Sequence, residues 1–132
     1  MDIIELIGRL LFAGLFLFYA LQHATQFHGY AAFAGSRGTP FPKLAVAVTG
    51  VMLAVGGGLV ALGLWADLGA LILVVFLVPV AFLIHPFWRF QGIERAGEQG
   101  VFLKDLALGG AALALLALSH DGLAHAVSGP LF

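Results

Sequence analysis

Seven side chains in this sequence offer chemistry beyond packing, and their positions bring them toward one end of the molecule: Tyr19, His23, His28, His85, Trp88, Lys104 and Asp105. Three kinds of chemistry fit the set. Neutral imidazole ligates haem iron or another metal. A histidine near an aspartate relays protons. A cavity of His, Tyr and Trp holds the head of a quinone or a similar amphipathic ligand by hydrogen bonds and stacking. The plain alternative is that interfacial His, Tyr and Trp only hydrogen-bond lipid headgroups and loop backbone. No C-x-x-C-H, H-E-x-x-H or comparably spaced motif narrows the choice, so neither a metal site nor a catalytic set is assigned. The chain has no cysteine, which excludes disulfides, thiolate metal sites, iron–sulfur clusters and thiol–disulfide exchange. A redox role must therefore run through a bound cofactor or a partner subunit.

The elements that position these residues follow from hydropathy. Of the 132 residues, 61% are apolar and 10% charged, and the mean hydropathy is +1.05. A soluble domain carries about 25% charge and about 45–50% apolar residues. A chain this short can hide only about two-thirds of its surface, so the apolar excess has no interior to enter. The composition points to a single integral membrane domain over residues 1–132. A net charge of −1 leaves no electrostatic footprint for nucleic acid. The acidic start, Met1-Asp2-Ile3-Ile4-Glu5, with no small-x-small cleavage site after it, reads as a retained helix and not as a signal peptide.

Charge-free runs at 10–36, 44–66, 68–88 and 106–120 divide the chain. They predict four transmembrane helices near 3–22, 44–65, 68–88 and 101–119, arranged as an up-down bundle. Helices are expected because the runs are continuous and a helix satisfies its own backbone in lipid. Spans two and three form an antiparallel hairpin around Ala66-Asp67, and Trp65 and Trp88 sit at opposite interfaces. Pro79 interrupts span three, and Pro86 marks a break at His85. Phe27, Tyr30, Ala31 and Ala34 fall at helical spacing, which predicts an interfacial helix near 26–35, then a turn through Gly38-Thr39-Pro40-Phe41-Pro42. The connection 89–100 reads as a solvated turn region.

Arg37, Lys43, Arg89, Arg95 and Lys104 border the two long connections, and Arg9 alone lies toward the other face. This bias predicts cytoplasmic long connections and outside termini. Glu5 and Arg9, four residues apart on one helix face, read as a structural ion pair near the end of span one, within snorkelling reach of water. His120 and His125 are expected in solvent. Lipid tails are as apolar as leucine, so small residues should make the helix seams. Ala54/Gly58 and Gly57/Ala61 on span two, and Ala107, Gly110 and Ala114 on span four, are the expected stripes, whereas Leu73 lies on a span without one.

Several segments together resemble the DoxX family of small bacterial membrane proteins. They are Gly8-Arg9-Leu10-Leu11-Phe12-Ala13-Gly14, the aromatic-rich segment ending Gly38-Thr39-Pro40-Phe41-Pro42, Gly50 followed by Gly56-Gly57-Gly58-Leu59 and Leu62-Gly63-Leu64, His85-Pro86-Phe87-Trp88, and the run from Phe102 through Lys104-Asp105 to Gly110. Their order and spacing carry the resemblance over nearly the whole chain. It implies four helices in the bacterial inner membrane and a link to thiosulfate:quinone oxidoreductases or to oxidative-stress complexes. Many relatives have Glu where this chain has Leu53, and Asn where it has Asp105.

These readings converge on an accessory, non-catalytic subunit of a membrane redox system, with a bound quinone or lipid near His23 and His85. Its expected partners are the bilayer and either a larger membrane complex or further copies of itself. The alternatives are a small-solute or lipid-binding transporter using the same cavity, and a structural scaffold binding a partner through its Gly/Ala seams.

Overall fold

Helix ends in this chain fall where the sequence cannot continue a helix. The computed structural model describes residues 1–132. Helix α1 covers Asp2–Thr25 and α2 covers Phe27–Ser36. Gly38, at φ 85°, turns the chain away from α2. Pro42 opens α3, Pro42–Leu62, where its missing N–H costs nothing. Gly63, at φ 64°, ends α3, and the Leu64 N–H closes onto the Leu59 carbonyl at 3.0 Å. Helix α4 covers Ala66–Ile84. Pro86 drives His85 out of helical geometry, to φ −117° and ψ 54°, and a 3-10 turn follows at Phe87–Arg89. Within α4, Pro79 has no N–H to give the Val75 carbonyl.

Helix α5 covers Gly92–Ser119. It begins nine residues before the expected 101, so most of the connection read as a solvated turn is helix. Its Gly97 and Gly100 each cost only about 1 kcal/mol in a helix interior. Continuation into a long apolar helix outweighs that cost. These first turns stand largely exposed, carrying charge beyond the apolar stretch.

Four helical segments are long and apolar enough to cross a membrane: α1, α3, α4 with its following turn, and α5. The protein is an all-helical, four-helix membrane bundle. Its start, the α3–α4 turn and the end of α5 lie at one end, where Val127 N–H meets the Leu62 carbonyl at 3.1 Å. Helix α2, the 3-10 turn and the start of α5 lie at the other. The outer surface shows Leu10, Leu11, Phe18, Leu21, Val75 and Phe82, as a lipid-facing surface should.

Backbones approach closely between α1 and α3, α3 and α4, and α4 and α5, whereas α1 and α5 have no extended backbone contact. Glycine makes the close approaches. A Cβ on Gly57 would lie 3.3 Å from the Ala13 carbonyl oxygen of α1. One on Gly69 would lie 2.9 Å from the Gly56 carbonyl oxygen and 2.8 Å from Leu59 Cβ, so α4 carries a seam that the sequence reading did not give it. Leu73, fully buried, packs over Gly56 in that seam.

The expected stripes need correction. Gly58 has open space where a Cβ would go, and Ala54 is exposed, so α3 packs through Gly56 and Gly57. Ala107, Gly110 and Ala114 all face outward. The buried face of α5 is Phe102, Asp105, Gly109 and Ala112. Small residues lie on both faces of α5, and the carboxyl group of Asp105, costly against lipid, goes inward with its stripe.

Candidate ligand cavity

Because α2 folds back over α3 and α1 stands clear of α5, space remains toward the α2 end of the bundle. A cavity of about 550 Å³ lies there, lined by residues of all five α-helices. Its deeper wall is apolar, with Phe16, Met52, Leu77 and Leu108. Its polar groups come from Tyr19, His23, Tyr30, Thr39, Thr49, His85, Lys104 and Asp105. Five of the seven side chains singled out from sequence therefore share one cavity: Tyr19, His23, His85, Lys104 and Asp105.

His23 sits in the last turn of α1. Its Nδ1 donates to the Tyr19 carbonyl one turn back at 2.8 Å. Its ring packs against that of Tyr30, with centroids 4.6 Å apart and planes tilted by 38°. Gly50 makes room for it, since a Cβ there would come within 3.1 Å of His23 Cβ. Burial pushes the Tyr30 phenol above its usual pKa, and the neighbouring Tyr19 phenol adds to the effect. Tyr30 thus keeps its proton at physiological pH and is available as a hydrogen-bonding hydroxyl.

His85, at the break after α4, donates through Nδ1 to the Glu98 carboxylate at 2.8 Å. The other Glu98 oxygen accepts from Arg37 at 2.6 Å. The Arg37 guanidinium lies between the Phe33 and Phe90 rings, 4.9 and 4.6 Å from their centroids. This network ties the end of α2, the break after α4 and the first turns of α5 together beside the cavity. Asp105 is only 7% exposed, and Lys104, next to it on α5, is exposed.

His28 and Trp88 do not line the cavity. The buried stripe of α2 is Ala31 and Ala34, with Phe27 and Tyr30 packed on it, and His28 falls off that stripe into the open. Trp88 is carried outward by the turn after Pro86, where it packs on Phe82, Phe87 and Phe102. Sequence reading missed Tyr30, Glu98 and Arg37 as members of the site. In the sequence Tyr30 stands out only by its helical spacing with Phe27, Ala31 and Ala34. A signal for the other two existed, since both long connections emerge on one face and carry opposite charges there.

The Glu5 and Arg9 pair lies at the far end. Arg9 Nη1 and Glu5 Oε1 are 4.0 Å apart. Arg9 is 3% exposed, so the guanidinium does not snorkel; it donates to the Ala124 carbonyl at 2.8 Å and the His125 carbonyl at 3.3 Å. Glu5 accepts from the Ala124 N–H at 2.8 Å. Asp67, fully buried, accepts from the N–H groups of Leu131 and Phe132 at 2.8 and 2.9 Å. The segment after α5 is thus strapped across the bundle end by three charged residues. His120 and His125 have exposed side chains.

Comparison with known proteins gives one family. The DoxX family model matches residues 4–86, more than half of the chain. The match runs from α1 through α4 and takes in His23, Tyr30 and His85, while Glu98, Lys104 and Asp105 lie beyond it. No curated protein and no solved structure matches the chain. With its apolar helices and this match, the chain belongs to the DoxX family and is a multi-pass membrane protein.

Proposed function

We propose that this protein binds a quinone as a non-catalytic accessory subunit of a redox system in the bacterial inner membrane. One observation carries the reading: a cavity of about 550 Å³ that is apolar in its depth and polar toward one end. Pockets for small amphipathic ligands span about 300–1,000 Å³, with a few convergent polar groups on an apolar wall. A quinone ring with its first isoprenoid units matches that pattern. The ring stacks near Tyr30 and His23, and the tail leaves toward lipid between α1 and α5, which lack close backbone contact. The chain has no cysteine, so electrons would move between the ligand and a partner subunit. The basic residues around the long connections favour the cytoplasm for the cavity end and the outside for both termini.

The test is to purify the protein from native membranes in mild detergent and identify extracted lipids by mass. Quinone enriched over the bulk membrane, and lost in a Phe16→Trp variant that fills the cavity, supports the reading. Phospholipid alone, unchanged by that substitution, overturns it in favour of a lipid-binding role or a scaffold.

A further inference from the structure

The polar wall of the cavity has a bias in its hydrogen-bonding character. His23 Nδ1 meets a carbonyl oxygen, which can only accept, so the proton sits on Nδ1. In the neutral ring Nε2 is then a bare acceptor. No protein group bonds to that Nε2, and it is not sealed off by its neighbours. Thr49 spends its hydroxyl proton on the Ala45 carbonyl at 2.8 Å, leaving lone pairs. Asp105 is more than nine-tenths buried, lines the cavity and receives no hydrogen bond from the protein. A carboxylate only accepts. Tyrosine and threonine hydroxyls rotate to suit either kind of partner, so Tyr19, Tyr30 and Thr39, whose Oγ1 has no protein partner, do not discriminate, and His85 has its Nδ1 proton engaged by Glu98. Lys104 is the one obligate side-chain donor on the wall, and it is exposed.

The Asp105 carboxylate and His23 Nε2 are open to the cavity and have no protein partner, so a ligand that brings donors to them gains two hydrogen bonds there. A quinone carries two carbonyls and offers no donor. Its reduced form carries two hydroxyls and offers two. We infer that the cavity selects the hydroquinone over the quinone, its hydroxyls donating to Asp105 and to His23 Nε2. This rests on the quinone-lipid reading and adds to it which redox form is held. No electron or proton transfer is needed for the selection.

The experiment compares a decyl-tailed ubiquinol with the matching ubiquinone, under anaerobic conditions, on the full chain in detergent. A redox-inert pair, 4-dodecylphenol against its methyl ether, is measured alongside. Hydrogen bonds to charged groups are worth enough to predict binding of the hydroxyl-bearing member at least about tenfold tighter in each pair. Asp105→Asn keeps the shape and adds a donor, so it should bring the ubiquinol-to-ubiquinone ratio down to about one. His23→Phe keeps a ring packed against Tyr30 and should lower the ratio part of the way. Quinone bound as tightly as quinol by the unaltered protein, or a ratio insensitive to both substitutions, overturns the inference and leaves the quinone-lipid reading standing. Binding of neither redox form overturns both.

Discussion

Arg9 illustrates how much a single side chain carries here. Its guanidinium is buried and bonded to the Ala124 and His125 carbonyls of the strap, while Glu5 accepts from the Ala124 N–H. Arg9→Leu leaves those two carbonyls without a partner and removes the cation beside Glu5, and should cost roughly 2–5 kcal/mol, at about 1–3 kcal/mol per unsatisfied carbonyl. The strap should also become accessible to protease, so detergent thermal melts and limited proteolysis check the prediction together. Glu98 makes a milder case, since it joins Arg37 and His85 in a partly exposed setting. Glu98→Gln retains an acceptor and removes the charge. It should cost about 1–2 kcal/mol and make stability less sensitive to salt, because the charge-assisted bonds become ordinary ones. A melt unchanged in both low and high salt would refute that.

At the scale of the element, the bundle is decided by which helix faces admit another backbone. Gly69→Leu has no room, with the Gly56 carbonyl and Leu59 already in contact with a single added carbon. It should destabilise the bundle by more than about 3 kcal/mol through overpacking. Gly57→Leu, facing Leu17 and the Ala13 carbonyl on α1, should behave similarly. Gly110→Leu meets open space on an exposed face and should stay within about 0.5 kcal/mol. Melting temperatures for the three variants in one detergent separate the true seam from the outward stripe. Leu73→Ala should also be costly, by roughly 2–5 kcal/mol, because Leu73 is fully buried against Gly56.

For the molecule as a whole, the two ends have different jobs. The terminal end is closed by backbone hydrogen bonds from the strap to Asp67, Leu62 and Gly63. The opposite end holds the cavity beneath α2. The proposed orientation sets the closed end outside. Since the chain has no cysteine, single labels report cleanly. Asp121→Cys should react with an impermeant maleimide in intact spheroplasts, and Glu94→Cys only after the membrane is opened. The reverse pattern would invert the orientation without changing the bundle.

The sequence by itself determined the membrane character, the number of spans and the convergence of His23, His85 and Asp105 toward one end. Those properties are local or additive: hydropathy accumulates along a run, and a helix of known length returns the chain to a known face. Proline placed the break at His85 for the same reason, whereas the turn read at Ala66-Asp67 lies earlier, at Gly63–Trp65, where Gly63 ends α3 and Asp67 is already in the first turn of α4. Only the tertiary structure decided which face of each helix turns inward. Lipid and protein core are equally apolar, so a helix that is apolar all round carries no moment to point with, and the outward stripe at Gly110 looks like a seam. The partners of Glu98, Arg9 and Asp67 were hidden for a different reason. Each lies on a segment far away in the chain, and a pairing such as Arg9 with Ala124 exists only once the bundle has brought its two ends together.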